Sequence, residues 1–220
     1  MELSLTEHLN LSERVFKLVE KAVLKGSIKP GHRIIETDLA KSLGTSKSPV
    51  REALKRLEGE GVVELVPRRG YIVREITRKG VDDFFDIMMI LEPAIACMSY
   101  RKRKPESEAV LDGFIQRMEK KSNKRDFEEY LVLNDQFHMY FYSVTENDWV
   151  TKIALTLRRQ AEILRSLSLY TKDRCVCSIE EHRNIVTAWK SGNETALIQA
   201  VKNHLTLFKE NIYQAEHFKK

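Results

Sequence analysis

The sequence predicts a mainly α-helical protein in two parts: an N-terminal winged helix-turn-helix, then an all-helical antiparallel bundle. Three observations predict it. Residues 44–73, GTSKSPVREALKRLEGEGVVELVPRRGYIV, read as a turn, a helix with one basic and one apolar face, and a hairpin with a basic tip. From Val81 onward, apolar residues recur at helical spacing with almost no strand pattern. Positive charge is also uneven. Residues 1–74 hold 14 of the 37 Lys+Arg but only 10 of the 32 Asp+Glu, so most of the net +5 sits there. An excess of cations on one module is what phosphate neutralisation and counterion release reward.

Each N-terminal element has its own warrant. Val15, Leu18, Val19, Ala22 and Val23 form the stripe of a first helix that ends near Gly26. Lys29-Pro30-Gly31 is a turn, Ile34-Ile35 a short strand, and Asp38 to Leu43 a second helix closed by Gly44. The spacing across Gly44 to Ser46 fits a helix-turn-helix. The next helix starts near Ser46, whose hydroxyl is placed to cap the first turn, with Pro49 tolerated inside that turn. Val50, Ala53, Leu54 and Leu57 make its inward face. Lys47, Arg51 and Lys55 lie four apart on another face, with Ser46 and Ser48 at the leading end. A recognition helix presents its N-terminal residues to base edges while flanking cations meet phosphates. Gly61 closes this helix, and Val62–Val66 and Tyr71–Val73 alternate as two strands. Pro67, Arg68, Arg69 and Gly70 form the tip between them, and glycine lets such a tip approach a DNA backbone or minor groove.

On these residues, 11–73 resemble the DNA-binding domain of the GntR family of bacterial transcription regulators. Pro30-Gly31, Leu39-Ala40, Ser46 to Leu54, Arg56-Leu57, Glu60-Gly61 and Arg69-Gly70 carry the match. The resemblance implies that Ser46, Lys47, Ser48 and Arg51 contact operator DNA, with Gly70 at the wing. Lys55, Arg68 and Arg69 join the candidate interface on their own charge and position. Lys47 stands where many members carry arginine, so a point charge replaces a bidentate guanine reader. Thr37 stands where some members place a further DNA-contacting arginine.

A length of 220 residues suits one small and one medium domain, taken as 1–74 and 75–220. Cys97, Cys175 and Cys177, without a signal-like leader, fit a reducing cytoplasm. Cys175-Val176-Cys177 could carry metal or redox chemistry, but without a second pair it reads as two reduced thiols. No apolar run approaches the ~20 residues of a membrane span.

Beyond a polar link at Arg74 to Gly80, helices are expected at about 78–103, 106–121, 125–145, 148–170, 175–191 and 193–217. Lys104-Pro105, Asn147-Asp148 and Gly192 punctuate them. The first carries Phe84, Phe85, Ile87, Met88, Ile90, Leu91, Ala94, Ile95 and Met98, apolar around too much of its circumference to face water. It belongs inside a bundle or between subunits. Of the six histidines, His8, His32 and His217 sit in a tail, a turn and a terminus and are assigned no role. His138, His182 and His204 lie on the apolar faces of three different helices, and Asn134 is one turn before His138. Each alone is a core histidine. Together with an amide oxygen they suit a divalent transition metal with positions left open for water or ligand.

Residues 78–217 resemble the FCD effector domain of the FadR subfamily through Leu91-Glu92-Pro93, Asn134 with Phe137-His138, Glu181-His182, Ile185, Ala188, Gly192 and His204. The resemblance implies a homodimer and a divalent ion, zinc or nickel, on Asn134, His138, His182 and His204. It also implies a small-molecule effector, often a carboxylate, with a less polar ligand, or the metal itself as signal or structural brace, left open. Many members have aspartate where this chain has Asn134, a neutral and weaker donor. The arginine that clamps the carboxylate in many members is replaced by Met88, leaving Arg158, Arg159 or Arg165 as substitutes or plain surface cations. The function expected is a cytoplasmic, sequence-specific DNA-binding repressor controlled by metabolite or metal, and not an enzyme. Two alternatives stay open: a metal-dependent hydrolase using the open positions, and a constitutive DNA-binding protein with a structural metal. Against the hydrolase, no carboxylate is tied to the site by spacing. Glu181 adjoins His182, but neighbours diverge by about 100° on a helix.

Overall fold

The computed structural model describes residues 10–24, 26–167, 172–214 and 218. The expected helix ends at 170 and 217, with His8 and His217, lie outside them. The chain forms two compact units, Met1–Thr77 with Arg159–Ser166, and Arg78–Arg158 with Leu167–Lys220. No helix among the described residues is long and apolar enough to cross a membrane.

The first unit contains α1 (Leu11–Leu24), β1 (Arg33–Ile34), α2 (Glu36–Ser42), α3 (Lys47–Gly59), β2 (Val63–Val66) and β3 (Gly70–Val73). The strands form an antiparallel sheet in the order β1-β3-β2, with Leu65 opposite Tyr71 and Arg33 opposite Ile72. Val50, Ala53, Leu54 and Leu57 are buried as their spacing requires, and with Val15, Val19, Val63 and Tyr71 they form the core.

One residue of the α1 stripe is displaced. Leu18 is 52% exposed, whereas Phe16 is only 2% exposed. Around the helix Phe16 lies about 100° from Val15, and Leu18 lies about 60° to the other side. The larger ring captures the core-facing position and rotates the buried stripe toward itself. Its face is covered by the Arg56 guanidinium, 4.0 Å from the ring centroid.

The helix ends are chemically specified. At Gly44 (φ +62) and Gly61 (φ +74) the chain turns left-handed, and in each case two carbonyls of the last turn gain donors. Gly44 N–H donates to Lys41 and Thr45 N–H to Ala40; Gly61 N–H donates to Glu58 and Val62 N–H to Leu57. This is the Schellman pattern. At its start α3 departs from expectation. Ser46 is the N-cap residue with extended backbone, yet its hydroxyl makes no capping hydrogen bond. A cap accepts from the second or third helical N–H, and the third position is Pro49, which has none. At the wing tip, Arg69 N–H donates to Val66 (3.0 Å), and Arg68 is left-handed at φ +62. Pro67 followed by a left-handed residue is the pattern of a type II turn. The Arg33 side chain donates to the Arg69 carbonyl and braces the tip.

The second unit is helical: α4 (Arg78–Arg101), α5 (Ser107–Asn123), α6 (Phe127–Val144), residues 148–158 of α7 (Asp148–Leu167), α8 (Lys172–Ser191) and α9 (Glu194–Tyr213). Five of them close a ring in which α4 packs on α9, α9 on α8, α8 on α5, α5 on α6, and α6 on α4. Trp189, Tyr130, Tyr142 and Phe137 are fully buried inside it. Asp126 and Asn193 cap α6 and α9 through backbone N–H groups of Glu129 and Ala196. Helix α4 carries two apolar stripes. Val81, Phe85, Met88 and Ile95 face the core, while Ile87 and Ile90 remain 48% and 67% exposed.

Candidate nucleic-acid interface and metal centre

Helix α3 sets the geometry of the first site. Its buried stripe turns Lys47, Arg51 and Lys55 outward, and these, with Ser46 and Ser48, are exposed. Without a capping bond, the Ser46 hydroxyl is not committed to the helix end. Arg68 and Arg69 are exposed at the wing tip, and half-buried Gly70 opens β3. Thr37 is exposed on α2, its hydroxyl donating to Asp38 at 3.3 Å. Arg51 is held by an acidic partner. Its Nε lies 3.0 Å and its Nη2 2.9 Å from the same Glu36 oxygen, with the second oxygen 3.3 Å from Nε. That hydrogen bond and charge raise the Arg51 pKa above its ordinary value. Beneath them Tyr71 is buried, and burial, followed by the Glu58 and Glu36 charges, pushes its phenol up.

The second site lies inside the helical ring. His138 (α6), His182 (α8) and His204 (α9) are buried, and one ligand nitrogen from each lies within 4.8 Å of the others. Among the described residues this is the one such grouping of metal-ligating side chains. The Nε2 atoms of His138 and His182 are 3.3 Å apart. Two nitrogens at zinc bond length, about 2.0–2.1 Å, on a tetrahedral ion would be separated by about 3.3–3.4 Å. The pair therefore fits one divalent ion. Asn134 is buried on α6, one turn before His138.

Around this centre the polar groups are interlocked. His204 Nδ1 lies 2.7 Å from Glu181 Oε2. The same carboxylate receives Arg174, with Nη1 2.6 Å from Oε1 and Nη2 3.2 Å from Oε2. Burial would push the Glu181 carboxyl up, but the hydrogen bonds from His204 and Arg174, with the Arg174 charge, more than offset it and hold it below the ordinary range. A carboxylate acceptor at Nδ1 places the imidazole hydrogen there and leaves the Nε2 lone pair for a metal.

The substitute clamps divide. Arg158 is buried, bonded to Asp135, and charged despite burial because Asp135, Tyr142 and Glu92 surround it. Tyr142 in turn donates to Glu92. Arg159 belongs to the first unit, where it pairs with Glu20 at 2.9 Å and Glu60 at 2.7 Å. Arg165 is buried. Cys175 is buried and Cys177 exposed, both as free thiols, and burial pushes the Cys175 thiol up to about 11. A thiol so protonated is a poor nucleophile and ligand.

Two functional candidates escaped sequence reasoning, Glu181 and Glu36. Glu181 does diverge from His182, but its partner is His204 on another helix. The one available signal was Arg174–Glu181, seven residues apart and so on one face of α8.

Comparison with known proteins follows the same division. Residues 11–73 match the family of bacterial regulatory proteins, gntR family, and residues 83–207 match the FCD domain. The HTH-type transcriptional regulator YdhC of Bacillus subtilis (strain 168) is 29% identical over 205 residues, covering 93% of this chain and 89% of its own. The HTH-type transcriptional regulator McbR of Escherichia coli (strain K12) is 28% identical over 136 residues, 62% of each chain. The structure of E. coli McbR/YncC superposes with a TM-score of 0.75 at 21% identity, covering 94% of this chain and 99% of that one.

Proposed function

The chain belongs to the gntR family of bacterial transcription regulators, with an FCD domain behind its winged helix, and we propose that it is a homodimeric cytoplasmic repressor controlled through its helical unit. DNA binding is the output of the family, and the chain is a regulator rather than an enzyme. Ser46, Lys47, Ser48, Arg51 and Lys55 would meet the major groove and its phosphates, and Arg68, Arg69 and Gly70 the backbone beside it. A left-handed tip residue favours glycine by about 1–2 kcal/mol, so an arginine at 68 retains a cation there at a steric cost.

The observation that carries the control reading is the convergence of three buried imidazoles, with two Nε2 atoms 3.3 Å apart. His138, His182 and His204, with Asn134 as the oxygen donor, would hold zinc or nickel, since neutral nitrogen and oxygen donors suit both. When bound, such an ion supplies positive charge and open coordination positions to an effector oxygen, with carboxylates the class in view. The effector shifts operator affinity only as far as it distinguishes the two arrangements of the DNA-binding units. Dimerisation is supported by α4, where Ile87, Ile90, Leu91 and Ala94 form an i, i+3, i+4, i+7 stripe that the chain's own fold leaves partly exposed. A two-fold dimer matches a palindromic operator.

The test begins with duplexes selected from a random library by the purified protein. Arg51→Ala is expected to weaken binding to the selected sequence at least about tenfold, and chelation of the metal to change the affinity of the unmodified protein. Elemental analysis finding no metal would return the histidines to core packing. Bound metal whose removal leaves DNA affinity unchanged would make the ion structural.

A further inference from the structure

We propose that Glu36 is a specificity-determining residue of DNA recognition, acting by holding Arg51 so that one edge of its guanidinium is left for a guanine. The inference rests on the reading that Arg51 faces DNA and adds a residue to it. Arginine carries five N–H donors on two usable edges. The side edge pairs Nε–H with one Nη2–H, and the end edge pairs Nη1–H with the other Nη2–H. Glu36 occupies the side edge, with contacts of 3.0 Å at Nε and 2.9 Å at Nη2. The end edge, pointing away from the backbone, is the one that matches guanine O6 and N7.

The two residues come from the two helices of the motif. Glu36 is the first residue of α2 and Arg51 the fifth of α3. Their pairing fixes a long side chain to the scaffold rather than to its own helix. The Arg51 side chain is 56% exposed and that of Glu36 24%, so the arginine is both tethered and accessible. An untethered arginine would meet phosphates and bases from many rotamers, which raises affinity for any duplex. A tethered one offers a single donor pair in one place, which favours one base. Lys47 makes this matter more here, because a lysine at that position supplies no bidentate reader of its own.

Base preference is measured by selection from a random duplex library, followed by dissociation constants for the selected duplex, its single-base variants and an unrelated duplex. The proteins compared are the full-length chain, Glu36→Gln, Glu36→Asp and Arg51→Ala. Glu36→Gln is expected to lose about tenfold of the preference for guanine at the Arg51-dependent position, while the unrelated duplex is bound as tightly or more tightly, an anion having been removed. Glu36→Asp, charged but one methylene too short to hold the side edge, should lose the same preference. If Glu36→Gln and Glu36→Asp keep the full preference while Arg51→Ala erases it, the positioning role is wrong. A Glu36→Gln protein that binds all duplexes more tightly with unchanged preference would make Glu36 a mere competitor for Arg51, which also overturns the proposal. If Arg51→Ala itself leaves base preference untouched, the underlying reading of Arg51 fails instead.

Discussion

Replacing Glu181 by glutamine should weaken metal binding by about 10- to 100-fold without unfolding the protein. The carboxylate serves three donors: His204 Nδ1 and Arg174 Nη2 at Oε2, and Arg174 Nη1 at Oε1. An amide presents one acceptor and one donor group. Turned one way, its NH2 opposes Arg174 Nη1. Turned the other way it opposes both Nη2 and the imidazole, and the imidazole can escape only by moving its hydrogen to Nε2, where the lone pair is needed for metal. Either way a buried donor loses its partner, at about 1–3 kcal/mol, and the imidazole loses the carboxylate that orients it. A 10- to 100-fold loss corresponds to about 1.4–2.7 kcal/mol, so the two effects are of similar size and must be separated. Affinity is therefore read by competition against a chromophoric chelator at fixed pH, with the metal-induced rise in Tm as a second measure of the same difference. If the unmodified protein binds metal and Glu181→Gln binds it within about twofold, the carboxylate does not orient His204. If the unmodified protein binds none, the histidine site itself is misread.

Two further outcomes are expected. Gly44→Ala should destabilise the protein by about 1 kcal/mol in urea unfolding; nothing lies within 4 Å of the added Cβ, so the cost comes from its φ of +62 alone, and unchanged stability would refute the left-handed cap. Ile90→Glu, at a position 67% exposed on α4, should shift a dimer to monomer in light scattering, and a persistent dimer would move the interface elsewhere.

Much of this was legible in the sequence, for identifiable reasons. Val50, Ala53, Leu54 and Leu57 are buried because helical periodicity is a property of one segment and needs no partner to be read. Gly44 and Gly61 stop their helices because backbone conformation is likewise local. The three inward histidines could be found because a polar ring on an apolar face is conspicuous wherever it occurs. Competition was harder to see. Phe16 displaced Leu18 because ring size, not spacing, decided which side of α1 met the core. Ser46 takes the N-cap position, yet its hydroxyl makes no capping bond, and Pro49 at the third helical position has no N–H to offer it. Glu181 and Glu36 stayed hidden because each acts on a different helix, at sequence separations of 23 and 15 residues.

In the roles proposed for them, those two carboxylates would do the same job under different physical conditions. Each fixes the orientation of a nitrogen group on a neighbouring helix, and burial decides how firmly. Glu181 is 8% exposed, so its charge acts in a poorly screened interior, and its three donors leave it little freedom. Glu36 grips an arginine in contact with water, where an ion pair is screened and biases the side chain toward one rotamer without locking it. That is too weak to stabilise the fold measurably, yet it suffices to bias which donor edge arrives first at a base. The exposed pair can also yield where a duplex lacks the matching guanine, whereas the buried pair cannot yield without disturbing the core. A sensing site would gain from rigidity and a DNA-reading surface from a reversible bias, and the proposed roles of the two glutamates would supply one of each.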